Sequence, residues 1–318
     1  MKRWQSWMIA LARSPRVTRW MHGNRATAAL ARRFVGGDSV DDGIAVAKRL
    51  NGAGFKTSLY YLGEYVTDPK VIDETVQQKK LAIGALHQAR LQVHLSIDPT
   101  QVGYGYDDAT GARMATAIGE TLLRAHNEGE GGDLPNLVLD MEDASFVDRT
   151  LALRDQLAAR GIPVTQTLQA YLKRTAQDLA PIIASGGSVR LVKGAFADPG
   201  AHAFQSRAEI DGNYLALAMM MLGSAAKASG FRPVFGTHDA TLIETIRDLA
   251  RKGGWQPGQY EFEMLYGVRE SLQRQLLQER EQVRLYLPFG RAWWPYAVRR
   301  IGESPRNAWL LFRALVGR

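Results

Sequence analysis

The sequence predicts a (β/α)8 barrel, and three observations carry that expectation. Short apolar β runs recur eight times along the chain, amphipathic helical stretches alternate with them, and no Gly-x-Gly-x-x-Gly turn opens a helix. The nearest glycine cluster, Gly103-Tyr-Gly-Tyr-Asp-Asp108, lacks the third glycine, which leaves an open dinucleotide-binding sheet without support. A chain of 318 residues with 46% hydrophobic content is long enough to bury the core of one such barrel.

Residues 1–36 read as a basic N-terminal helical arm and residues 37–318 as the barrel. Val40 to Leu50 has helical periodicity, stopped by Gly52 and Gly54. The β runs then follow as Thr57–Leu62, Leu91–Ile97, Asn136–Met141, Pro163–Leu168, Val189–Val192, Arg232–Phe235, Tyr260–Leu265 and Val283–Leu287. Between them lie the helical patterns Asp68–Arg90, Ala112–Asn127, Val147–Arg160, Ala176–Ala184, Ile210–Ser229, Ala240–Lys252 and Arg269–Arg280. The long stretch Gly194–Arg207 is a candidate lid.

Composition removes several functions. Without cysteine there are no disulfides, thiolate chemistry or Cys metal sites, and the six histidines show no His-x-x-x-His spacing, so no metal is expected. No apolar run approaches the roughly 20 residues that span a bilayer, and the N-terminus has no clean signal-peptide cleavage site. A cytoplasmic enzyme is the default. The net charge of +8 sits wholly in residues 1–33, which hold eight Lys and Arg and no acid. That segment, with Trp4, Trp7, Met8, Trp20 and Met21, either packs its aromatics on the barrel or lies peripherally on an anionic inner-membrane surface. No nucleic-acid motif accompanies the charge.

Barrel sites form at the C-terminal ends of the strands. Those positions carry Glu64, Ser96, Asp98, Asp140, Glu142, Gln169, Arg190, Lys193, Thr237, His238, Asp239, Tyr266 and Tyr286. Asp98 and Asp239 also suit plain turn formers. The stretch 284–303 is expected to run as a strand broken by Pro288 and Gly290, then as a helix with Pro295 in its first turn. Arg299 and Arg300 on that helix can straddle one small anion, with Glu303 holding Arg299 through an i,i+4 pair; a solvated basic face is the plainer alternative. With Arg190 and Lys193 they make the expected site cationic, suited to a carboxylate substrate or a phosphate-bearing cofactor. Positive charge beside an electron-rich cofactor favours its reduced form, which points to redox chemistry.

The rim segments resemble the proline dehydrogenase family in its bacterial single-function form. The matching stretches are Leu62-Gly-Glu64, Leu139-Asp-Met-Glu-Asp143, Leu168-Gln-Ala-Tyr-Leu-Lys-Arg174, Arg190-Leu-Val-Lys-Gly-Ala195, Ile210-Asp-Gly-Asn-Tyr214, Gly236-Thr-His-Asp239, Tyr260-Glu-Phe-Glu-Met-Leu-Tyr-Gly267 and 284–303. The resemblance implies a distorted, TIM-like (β/α)8 barrel holding non-covalent FAD. It implies oxidation of L-proline to Δ1-pyrroline-5-carboxylate by hydride transfer to the flavin N5, with electrons passed to a membrane quinone. By the same resemblance Arg299 and Arg300 clamp the substrate carboxylate, Glu303 orients them, and Tyr286 packs on the substrate ring. Arg190 lies near the flavin N5, Asp140 is the strand-three aspartate, and Met141, Gln169, Lys193, Gly194, Ala195, Thr237 and His238 contact FAD.

Two positions depart from the family pattern. Ser96 is matched to a usual strand-two lysine that helps to bind the carboxylate, and Phe196 stands for a usual tyrosine after Gly-Ala. Both strip polar groups from the substrate side, which keeps a related cyclic amino acid open as the substrate. Two further readings remain: Lys193 as a Schiff-base lysine, and a membrane-surface or anion-binding protein with a decayed site.

Overall fold

A computed structural model describes residues 33–63, 66–128, 133–194, 196, 198 and 200–302, of which 298–302 as backbone. Its eight parallel strands are β1 (Lys56–Tyr61), β2 (His94–Ile97), β3 (Asn136–Leu139), β4 (Val164–Gln169), β5 (Ser188–Val192), β6 (Arg232–Gly236), β7 (Glu261–Leu265) and β8 (Val283–Phe289). Each pairs with its sequence neighbours, and β8 closes on β1 from Lys56↔Arg284 to Tyr61↔Phe289. The helices are α1 (Val40–Gly52), α2 (Pro69–Gln88), α3 (Asp108–Asn127), α4 (Val147–Ala159), α5 (Thr175–Ala184), α6 (Arg207–Met221), α7 (Ser224–Ser229), α8 (Ala240–Lys252), α9 (Glu270–Gln278) and α10 (Trp293–Gly302). The barrel is as the sequence predicts. Among the described residues no helix is long and apolar enough to cross a membrane.

Local chemistry starts the helices where they begin. Ser39 and Asp42 form a capping box on α1, and Ser206 and Glu209 form one on α6. Asp68 caps α2 ahead of Pro69, and Asp239 caps α8 through the Thr241 N–H. Apolar stripes then dock these helices. In α8, Leu242, Ile243, Ile246 and Ala250 are buried against the barrel, each large side chain contributing about 1.5–3 kcal/mol.

The pleat sends alternate strand residues inward, and here the inward set is polar. A lower layer links Asn136 to His94 and Thr165 (3.0 and 2.7 Å), Thr165 to Ser188 (2.8 Å) and Arg284 to Glu261 (2.7 Å). Two residues further along each strand, the next inward layer faces the C-terminal mouth.

Two expectations fail for clear reasons. Pro288 does not break the last strand. β7 stops pairing at Leu265↔Tyr286, so the side of β8 that Pro288 faces has no ladder to lose, and its carbonyl accepts from the Gly36 N–H at 2.7 Å. The single helix expected over Ile210–Ser229 is two, because Gly223 takes an extended ψ of 165° and caps α7. The second half of the candidate lid is pinned to the loop after β4: the Lys173 N–H donates to His202 at 3.0 Å and the Phe204 N–H to Tyr171 at 2.8 Å. Phe34, Val35 and Gly36 at the end of the arm are buried, and residues 1–32 lie outside the described residues.

Candidate active site

At the C-terminal mouth the inward side chains enclose a cavity of about 430 Å³ with one charged and one apolar wall. The charged wall is organised on Arg190 from β5, which is 5% exposed. Its Nη1 donates to Glu263 Oε1 at 2.6 Å, and its Nε and Nη2 donate to Thr167 Oγ1 at 3.1 and 2.9 Å. Its Nη2 also pairs with Asp140. Asp140 Oδ2 accepts from Ser96 Oγ at 2.6 Å and from the Tyr286 hydroxyl at 2.9 Å. The Arg190 guanidinium stands 5.4 Å from the Tyr286 ring centre, and that ring lies 5.1 Å from Tyr60 at 31°. Burial, with Asp98 adding to it, pushes the Tyr286 phenol well up, so it stays a neutral donor. A buried guanidinium held by two carboxylates and a threonine has one geometry available, which is how a fold pre-organises a charge.

Two more acids reach the cavity. Glu142 accepts from the Thr100 N–H at 2.9 Å and the Thr100 hydroxyl at 2.6 Å. Asp98, at the end of β2, accepts from the Tyr60 hydroxyl. The described lining thus carries four carboxylates and one guanidinium, and the side chains of Arg299 and Arg300, half of the cationic set expected from the sequence, lie outside the described residues. Arg190 is spent on Asp140 and Glu263.

The apolar lining comes from Met141, Val192, Gly194, Phe196, Met264 and Leu265, and Gln169 and His238 also line the cavity. Gln169 Nε2 donates to the Met141 and Glu142 carbonyls at 2.9 and 3.1 Å, while its buried Oε1 has no partner among the described residues. His238 Nε2 accepts from the Leu265 N–H at 2.9 Å, which fixes a neutral imidazole with its proton on Nδ1. Gly194 has φ +95°, and a Cβ there would lie 2.2 Å from Tyr171. Gly194→Ala is therefore expected to cost about 1–3 kcal/mol of stability. A thermal midpoint equal to wild type would show that this turn relaxes freely.

Of the site residues read from the sequence, Asp140, Met141, Gln169, Arg190, Gly194, His238 and Tyr286 line the cavity. Ser96 is wholly buried and reaches the site through Asp140; the strand-two residue in the lining is Asp98. Lys193 is outside the lining, held by Asp211 at 2.5 Å and Asp239 at 3.0 Å. Thr237 is also outside it, its hydroxyl accepting from the Asp239 N–H at 3.1 Å. Arg299 and Arg300 fall on α10 with only their backbone described, and Glu64, Ala195 and Glu303 lie outside the described residues. Sequence reasoning missed Tyr60, Thr167 and Glu263 as cavity residues. The signal for Glu263 was present: Glu261 and Glu263 alternate within an apolar strand, and such acids need inward partners.

A closed parallel barrel with charged side chains converging at its C-terminal mouth defines the class, a (β/α)8 enzyme. The family model described as proline dehydrogenase matches residues 44–309, and the chain belongs to that family. It is 35% identical to a proline dehydrogenase of Deinococcus radiodurans, over 88% of this chain and 87% of that one. It is 30% identical to proline dehydrogenase 1 of Bacillus subtilis, over 90% of each. Its fold is shared with a crystal structure of proline utilization A from Bdellovibrio bacteriovorus inactivated by N-propargylglycine (TM-score 0.76, 22% identity). That match covers 89% of this chain and 34% of the longer one.

Proposed function

We propose that this protein is an FAD-dependent dehydrogenase that oxidises L-proline to Δ1-pyrroline-5-carboxylate, the first step of proline catabolism. The observation that carries the reading is the Asp140–Arg190–Tyr286 assembly at the barrel mouth of a chain in this family. The cavity suits the cofactor on its own chemistry. The apolar part of the lining beside Gln169 Oε1, which has no partner among the described residues, suits an amphipathic ring with a hydrogen-bond donor at its edge. Met141, Gln169, Gly194 and His238 would hold that ring, and Lys193, Ala195 and Thr237 would hold the remainder. FAD, when bound, supplies the hydride acceptor, its N5.

The chain's residues do the rest. Arg190 is fixed on three sides and cannot swing into the substrate space. Tyr286 presents a ring face for a small saturated ring and, as a neutral phenol, holds Asp140. Arg299 and Arg300 on α10 are assigned the substrate carboxylate, with Glu303 orienting them, and near-attack placement supplies most of the rate. Arg299→Ala and Arg300→Ala are each expected to raise KM for L-proline about 10- to 150-fold, the value of one charge-assisted hydrogen bond, while FAD stays bound. Unchanged KM in both variants rejects the clamp.

Electrons leave to a quinone, which places the enzyme in the cytoplasm with peripheral contact at the inner membrane surface, the basic arm being the candidate contact. The decisive experiment is simple. The purified protein should be yellow, and anaerobic L-proline should bleach its flavin band. Asp98 in the lining and the Phe196 ring in place of a tyrosine favour one second reading, a related cyclic amino acid as substrate. Titrating four- and six-membered ring analogues in the same assay separates the two.

A further inference from the structure

Glu263 stands between Phe262 and Met264 in an otherwise apolar strand, and it is 4% exposed. Its ladder partner on β6 is Gly236, which also lines the cavity. A Cβ at Gly236 would lie 2.7 Å from Val192 Cγ1 and 3.6 Å from Arg190 Cγ. The missing side chain leaves room across β6, and the guanidinium from β5 meets the carboxylate from β7 at 2.6 Å. Arg190 does not need this contact to be neutral or oriented. Asp140 already pairs with its Nη2, and Thr167 accepts from its Nε and Nη2. What Glu263 adds is a second buried carboxylate, which costs the fold desolvation energy and leaves the group of three with one net negative charge.

We propose that Glu263 is a positioning residue that acts through Arg190 to hold the flavin at a lower reduction potential than Arg190 and Asp140 alone would set, favouring onward transfer of its electrons. This rests on the flavin part of the proline dehydrogenase reading. Once the ring nitrogen has given its extra proton to solvent, hydride leaves C5 of L-proline with its electron pair. The ring is left as the cationic iminium, and oxidised FAD plus hydride is an anion.

A guanidinium on the cavity wall stabilises such an anion. A guanidinium shared by two carboxylates presents the opposite net sign, and in a buried site the difference is screened far less than in water. The nearby lysines do not redress the balance within the described lining. Lys193 stands outside the lining with two acids of its own. Lys79, wholly buried on α2, donates to the Ser96 carbonyl at 3.0 Å and is also outside it. The choice between one carboxylate and two on Arg190 therefore sets how readily this wall accepts a reduced ring.

The test uses the flavin-loaded full chain as wild type, Glu263→Gln, Glu263→Met and Glu263→Asp. Glutamine keeps an Oε1 for the Arg190 Nη1, methionine is a second neutral side chain of similar length, and aspartate keeps the charge. Two readouts are taken: the two-electron midpoint potential by spectroelectrochemistry, and the affinity for sulfite, which adds to the flavin N5 and leaves the ring negative. Both neutral variants are expected to favour the reduced flavin about tenfold more than wild type, a rise of about 30 mV for a two-electron couple. They should also bind sulfite about tenfold more tightly, and Glu263→Asp should stay near wild type in both readouts. A residue that merely braced Arg190 would change stability and FAD retention without raising the potential. An unchanged or lowered potential in a neutral variant, a Glu263→Asp shifted as far as Glu263→Gln, or loss of FAD from both neutral variants overturns the proposal alone. A wild type that binds no FAD overturns the parent reading as well. Neither readout uses proline, so a wrong substrate is told apart by the absence of bleaching with L-proline.

Discussion

Replacing Arg190 with methionine is expected to destabilise the barrel by about 3–5 kcal/mol and to abolish bleaching by L-proline. The variant would leave Asp140 and Glu263 facing each other without the cation between them, and both are nine-tenths or more buried. Breaking a buried pair from one side costs that much because the remaining charge cannot recover its water. Thr167 would also lose the donors it accepts from at 2.9 and 3.1 Å. Arg190→Lys should recover only part of the loss, since one ammonium cannot present a fork to three partners. Urea unfolding at pH 7 measures the effect. A loss under about 1 kcal/mol would mean that the carboxylates are solvated or neutral in the fold, and the pre-organised charge would go with it.

The barrel was legible because its signals are local. Alternation marks the strands, and capping residues such as Ser39, Asp68 and Ser206 mark the helix starts. What the sequence hides is which competing local reading wins. Asp98 and Asp239 both suit turn formers at strand ends. Asp239 is one, capping α8 and pairing with Lys193, whereas Asp98 sits in the cavity wall. Only the distances between distant segments separate them. The same holds for charge. Arg190 and Lys193, read together with Arg299 and Arg300 as a cationic site, meet counter-ions from the end of β3, from β7, from α6 and from the start of α8, which only the fold brings to them. Pro288 misled because a proline stops a strand only where a ladder bond is lost, and that depends on where β7 ends. Lys79 was invisible for a different reason. A lysine stem fits an apolar stripe, so nothing in the helical pattern of Asp68–Arg90 marks its head as buried.

Lys79→Met is expected to act in the opposite sense to Arg190→Met, stabilising the fold at and below neutral pH. In the native state burial holds the ammonium near 7, against its ordinary value of 10.5. Between those values the unfolded chain binds the proton and the folded chain does not, so wild-type stability rises with pH from about 7 to about 10 and is lowest below 7. At 1.36 kcal/mol per unit, the shift corresponds to as much as about 5 kcal/mol withheld from the fold at and below neutrality. Methionine of similar length fills the same stripe with no charge to desolvate, and swaps of this kind return about 1–4 kcal/mol. The variant should therefore unfold at a higher urea concentration at pH 6–7, with the difference shrinking towards pH 10. A destabilised variant would instead make Lys79 a structural strut whose bond to Ser96 outweighs its burial, and a gain that does not vary with pH would mean that folding leaves its titration unshifted.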